Sequence, residues 1–178
     1  MPRYFKLVCL HDDPQWYLEE FRQGRARYGW SGPGSNLRSI KARIDAGEWK
    51  NRTDDEVQAW SYTQFLIERV GIGDRVVVQT EQPIRTFLIG EVIPPGYEFS
   101  PGDLDDFNHV LHITPITREA IPIKSKPVTA TLKHDLSKRG HYYEIYPEDS
   151  IREPQRWKNT GAADGVASHD AAAAVNAA

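Results

Sequence analysis

Cysteine is almost absent: Cys9 is the only one in 178 residues. That excludes an internal disulfide framework and a cysteine-rich zinc site. Long apolar runs are missing too. The longest span four to five residues, against the ~20 that a membrane-spanning helix needs, so no membrane partner is expected. The opening MPRYFKLVCLHDDP has no apolar core followed by a cleavage signal; no secretory leader is read there, and a cytoplasmic protein is expected. Neither sign of charge is in large excess. The formal net charge of −3 excludes a chain that is basic throughout, while leaving room for a local basic face. There is no G-x-x-x-x-G-K-[ST] phosphate loop, no G-x-S-x-G elbow and no internal repeat.

What is present is the composition of one soluble globular domain, 39% hydrophobic and 26% charged. RYFKLVCLH reads as a strand, ended by Asp12-Asp13-Pro14. Pro14 opens a short helix, PQWYLEEFRQ, that carries Trp16 and Phe21 toward a core. YGWSGPGSN is a loop by its glycines and proline. Ser35 or Asn36 caps the helix LRSIKARIDAG, where Leu37, Ile40 and Ile44 recur at helical spacing and Gly47 ends the run. Thr53 and Glu56 form a capping box, so the acids Asp54, Asp55 and Glu56 mark a helix start and not a metal site. That helix is expected to run to about Val70.

Beyond Gly71 the pattern changes to strands. DRVVVQT and TFLIGEVI are joined by EQPIR, and the second is apolar enough to be buried on both faces. HVLHITPI is a third strand, VTATLKHDLSKRG a late helix and HYYEIYPE a last strand. The expected order is β-α-α-α-β-β-β-α-β. The expected fold class is α+β, a curved mixed sheet or barrel with helices packed outside. Residues 1–158 are read as the domain and residues 159–178 as a disordered alanine-rich tail.

Catalytic groupings are not evident. His109 and His112 stand three apart in a strand and so face opposite ways, which argues against a shared metal. Cys9, inside a strand, reads as a small core residue. Ser31 has no base and orienting group recognisable in sequence. No enzyme activity, metal or cofactor is expected. Aromatics in glycine-rich loops do stand out: Trp30 in YGWSGPG, and Tyr97 and Phe99 in PPGYEFSPG. Each is either a plug beneath its loop or a stacking wall for a flat ligand, since a base stacked on an aromatic ring gains about 1–3 kcal/mol.

The segment ERVGIGDRVVVQT…RTFLIGEVIPPGYEF…HVLHITPITREAIP resembles the central block of the PUA-like superfamily. The likeness is nearest to its EVE and YTH branch and to the front modules of modification-dependent restriction endonucleases. YGWS followed by a helix resembles the YTH loop that lines a base pocket. The likeness spans residues 4–146 in element order. It implies a PUA-like fold and a flipped, modified base held in an aromatic cage. It implies Trp30 as one wall and Ser31, through its backbone, as a contact to the base edge. The second wall is implied in the later loop, which here offers Tyr97, Phe99 and Phe107. The chain departs from YTH proteins in having no tryptophan in that loop, and it has His112 where many relatives place one.

Backbone phosphates would be met by bases around the pocket: Arg25, Arg27 and Arg38 flanking the Trp30 loop, Arg85 in the hairpin loop, and Lys133 and Arg139 on the late helix. Burying one extra methyl gains about 0.8 kcal/mol, and tenfold to a hundredfold discrimination from one methyl is about what such a pocket reaches. The resemblance to restriction-endonuclease front modules, together with the near-neutral charge, implies DNA binding through a flipped 5-methylcytosine as the expected function. The protein would act as a sensor of methylated DNA, alone or with a separate nuclease or regulatory effector. Two rival readings stand beside it: an N6-methyladenine reader of DNA or RNA, and a protein- or small-molecule-interaction module that binds no nucleic acid.

Overall fold

The computed structural model describes residues 2–145 apart from 33, 83, 102–105 and 141. The tail expected from residue 159 lies outside the described residues. The chain begins with β1 (Tyr4–Val8) and α1 (Pro14–Arg22), followed by β2 (Arg25–Tyr28) and α2 (Leu37–Asp45). A short 3-10 turn, Trp49–Asn51, leads into α3 (Asp54–Thr63) and α4 (Phe65–Glu68). Four strands come next: β3 (Arg75–Gln79), β4 (Thr86–Phe99), β5 (His109–Pro115) and β6 (Ile121–Pro122). The last elements are α5 (Ala130–Ser137) and β7 (Tyr142–Ile145).

The helix starts follow local chemistry. The Asp13 carboxylate accepts from the N–H groups of Gln15 and Trp16, with Pro14 in the first helical position. Asn36, not Ser35, caps α2 by accepting from Arg38 N–H. The capping box of Thr53 and Glu56 is formed at α3. The helix expected to continue to Val70 breaks at Gln64, and α4 follows as a separate turn. In α1 the fully buried residues are Tyr17 and Phe21, whereas Trp16 is half-buried.

The strands run in the order β2-β5-β4-β3-β1-β7, with β6 paired to β4. The β1–β3 pair is parallel, and the other described pairs are antiparallel. The fold is α+β as expected, but the path has two ends, so the described strands form an open sheet and not a barrel. The physical reason lies in the burial. Phe5, Leu7, Val76, Val78 and Leu88 pack on one face with residues of α1 to α4. Tyr4, Val77, Phe87 and Ile89 pack on the other with Leu132 and Leu136 of α5. With both faces covered there is no interior for the sheet to close around.

Two strands were not expected. β2 is only four residues, RARY, alternating half-buried arginines with buried Ala26 and Tyr28. β6 is two residues long. The loop expected at PPGYEFSPG is corrected as well: Tyr97 and Phe99 belong to β4. Val92 pairs with Ile113 and Tyr97 with Leu111, so the Pro-Pro-Gly segment is absorbed within β4 as a register shift, after which pairing with β5 resumes. Among the described residues no helix is long and apolar enough to cross a membrane.

Candidate functional site

β2 delivers the chain to Gly29 and Trp30. Trp30 has φ 67° and Phe107 has φ 65°. That region disfavours side chains by about 1–2 kcal/mol per residue, so something else must hold both loops. Asp106 does so. Its Oδ1 accepts from Ser31 N–H at 2.9 Å, from Ser31 Oγ–H at 2.9 Å and from Phe107 N–H at 2.7 Å. Ser31 Oγ in turn accepts from Asn108 N–H at 2.7 Å, and Asn108 Nδ2 donates to Ser31 O at 3.0 Å. Gly29 lies close beside this clasp: a Cβ there would lie 3.1 Å from Asp106 Oδ2.

Trp30 and Phe107, brought close by the clasp, line a cavity of about 590 Å³. Lys6 and Gln79 line it from the sheet, and Lys138 and Arg139 from the turn after α5. The cavity reaches the C-terminal ends of the parallel pair β1 and β3, the end of a parallel sheet where ligands commonly bind. Trp30 also stacks on Tyr62, ring centroids 4.4 Å apart. Phe107 packs edge-on against His11 at 4.9 Å, and His11 stacks on Trp16 at 4.3 Å.

Two of the five expected base-contacting residues therefore meet at the cavity, and three do not line it. Ser31 is buried with its N–H and C=O already engaged by Asp106 and Asn108, so it serves as a latch and not as a contact to a base edge. Tyr97 and Phe99 sit on the core side of β4 and are not a cage wall. Tyr97 accepts from Leu37 N–H at 3.3 Å and lies 2.9 Å from His109 Nδ1. His109 Nε2 lies 3.3 Å from Trp30 O, which can only accept. The imidazole thus carries its proton on Nε2, and Tyr97 donates to Nδ1. The chain Leu37–Tyr97–His109–Trp30 ties α2 to the Trp30 loop. Burial lowers the His109 pKa to about 4 and raises that of the Tyr97 hydroxyl, which suits this neutral network.

Of the expected phosphate contacts, Arg25 and Arg27 both pair with Glu20, at 2.5 and 2.6 Å. Hydrogen bonds from Arg25 and then Arg27 lower the Glu20 pKa to about 2. Arg38 donates to Tyr97 O at 2.8 Å. Arg25 and Arg27 are thus paired within the fold, whereas Arg38 is exposed and holds only backbone oxygens. Arg85, Lys133 and Arg139 are exposed. Lys133 lies on α5, but Arg139 follows that helix instead of lying on it, in the turn at the cavity rim. Cys9 directly follows β1, is buried, and its thiol pKa is pushed up to about 12 by burial; it is no nucleophile at neutral pH.

Lys6, Gln79 and Asp106 are the site residues that sequence reasoning missed. Lys6 is a single polar residue in YFKLV and Gln79 follows three valines in RVVVQ, and neither carries a local sign of a cavity. Asp106 stands near Asp103 and Asp105 in the sequence, and nothing local singles out the one carboxylate that meets Ser31. Comparisons with protein-family models, with curated proteins and with solved structures returned no match.

Proposed function

We propose that this chain is a PUA-like, EVE/YTH-type reader of a modified base, which binds methylated DNA by holding a flipped 5-methylcytosine in the cavity beside Trp30. The observation that carries the reading is the pair of positive-φ residues, Trp30 and Phe107, clasped by Asp106 so that both aromatic side chains line one cavity. Its volume of about 590 Å³ falls within the ~300–1,000 Å³ of small-ligand pockets. A flipped base gives up a few kcal/mol of stacking and pairing, and stacking on Trp30 returns about 1–3 kcal/mol of it. Arg139 at the rim is placed to meet a flanking phosphate. The reader acts alone or with a separate nuclease or regulatory effector.

The test is an affinity panel at one fixed salt concentration. One duplex is offered unmodified, with 5-methylcytosine and with N6-methyladenine, together with the matching RNAs. Tightest binding to the 5-methylcytosine duplex, lost in Trp30→Gly, is expected. Tighter binding to N6-methyladenine would replace the base assigned here. Equal, weak binding to every ligand would overturn the reader function and favour an interaction module.

A further inference from the structure

A second cavity, of about 340 Å³, is lined by Ser61 and Tyr62 of α3, by Arg69, and by Tyr142, Tyr143 and Glu144 of β7. Its size is also within the ~300–1,000 Å³ of small-ligand pockets. Tyr62 is 40% exposed, one of three large apolar side chains left exposed among the described residues. β7 ends the strand order, so the cavity opens at an edge of the sheet.

Two contacts join this cavity to the first. The Tyr62 ring stacks on Trp30, with planes 26° apart; Trp30 lines the first cavity and Tyr62 the second. Tyr143 makes the other junction. A Cβ on Gly140, which lines the first cavity, would lie 2.6 Å from the Tyr143 hydroxyl oxygen. The Lys6 ammonium, at the first cavity, lies 5.9 Å from the Tyr143 ring centroid. The rings of Tyr62 and Tyr143 thus stand between the two cavities. On the polar side of the second, Arg69 Nη2 donates to Glu144 Oε2 at 2.7 Å. That pair carries no net charge, which suits a neutral flat group better than a phosphate.

Drawing one base out of a strand leaves its neighbour with an uncovered face. Every base has such a face, and stacking it on an aromatic side chain is favourable whatever the base. A tyrosine-lined cavity joined to the first through Trp30 can cover it. We infer that the Tyr62–Tyr143 cavity receives the base next to the flipped one, by stacking, so that the chain holds two consecutive nucleotides of one strand. The inference rests on the base-reading function above and adds a second site for the same ligand.

The probe is a single-stranded oligonucleotide with one 5-methylcytosine, compared with the same strand in which the neighbouring nucleotide, on the 5′ or the 3′ side, is an abasic tetrahydrofuran residue. The abasic strands keep every phosphate, so only a base is lost. Binding is measured at one salt concentration for the wild-type chain, Tyr62→Ala and Trp30→Gly. For the wild type, loss of the flanking base on one side is expected to weaken binding about tenfold. In Tyr62→Ala the intact and abasic strands are expected to bind within about twofold of each other. A general weakening in that variant, whose ring also supports Trp30, acts on both strands and cancels in their ratio. Equal wild-type affinity for the intact and both abasic strands, with all of them weakened by Trp30→Gly, would overturn the second site and leave the first standing. An undiminished abasic penalty in folded Tyr62→Ala would do the same. Affinities untouched by Trp30→Gly would overturn both. The comparison on the wild-type chain does not depend on any variant folding.

Discussion

Ser31 and Asp106, 75 residues apart in the chain, are joined by two hydrogen bonds to one carboxylate oxygen, from the serine N–H and from its hydroxyl. The same oxygen holds Phe107 N–H, so one side chain fixes two loops whose aromatic residues both have positive φ. Ser31→Ala removes the hydroxyl that accepts from the N–H of buried Asn108. A loss of about 1–3 kcal/mol is expected, to be read from urea unfolding. Ligand affinity should fall with it, since the loops that present Trp30 and Phe107 lose their tie.

Trp30→Gly separates binding from folding. Glycine removes about 1–2 kcal/mol of left-handed strain and forfeits about 0.5–1.5 kcal/mol of stacking on Tyr62. Those two effects oppose, but the indole is also packed against the core, and losing that burial lowers stability further, so affinity is compared under conditions where urea unfolding shows the variant folded. Affinity for the base-bearing ligand should fall about tenfold or more, from the loss of base stacking. Unfolding of this variant under native conditions would show that Trp30 is a structural plug.

Acid sensitivity should come in two stages. His109 has a folded pKa of about 4 against an ordinary 6.5. The unfolded chain therefore binds more protons across that interval, and stability falls as pH drops from 6.5 toward 4. Glu20, with a folded pKa of about 2 against 4.5, contributes stability that is complete above pH 4.5 and lost as pH falls toward 2. Unfolding titrations of Glu20→Gln should be flatter over the lower interval only. The His109 imidazole followed by NMR should titrate near pH 4 and not near 6.5.

Salt dependence should divide the arginines. Arg139→Gln is expected to reduce the slope of log affinity against log salt by about 1 and to weaken methylated and unmodified duplexes alike. Arg25→Gln is expected to leave the slope unchanged, because Glu20 already takes up that charge. The reverse result would place the DNA backbone across β2.

Gly90 tests the core beneath the site. A Cβ there would lie 2.6 Å from Ile113 Cδ1 and 3.2 Å from Phe21 Cζ. Gly90→Ala should lose about 1–3 kcal/mol by overpacking, measurable as a lower urea midpoint.

Helix starts were legible because a cap is local chemistry: Asn36, Thr53 and Glu56 act within three residues of their partners. Strand β4 was legible where it is apolar, at Phe87, Leu88 and Ile89, and misread at Pro-Pro-Gly. Those residues signal a turn, whereas pairing with β5 resumes beyond them. β2 was invisible because four residues with two arginines make a weak pattern, and its partner, β5, lies far along the chain.

Trp30 was legible as a candidate, since an aromatic side chain between glycines is costly to leave exposed, whereas Phe107 entered only through the family resemblance. That Tyr97 faces the core instead followed from the register of β4, and one register step decides which face a residue occupies. By itself, the sequence determined the apolar and polar periodicities, the caps and the supply of aromatic and charged groups, because these depend on neighbours in the chain. Only the tertiary structure decided that Glu20 would take up Arg25 and Arg27, that Asp106 would clasp Ser31, and that Lys6 and Gln79 would share a cavity. Those outcomes depend on strand order and sheet face, which bring together groups that nothing local relates.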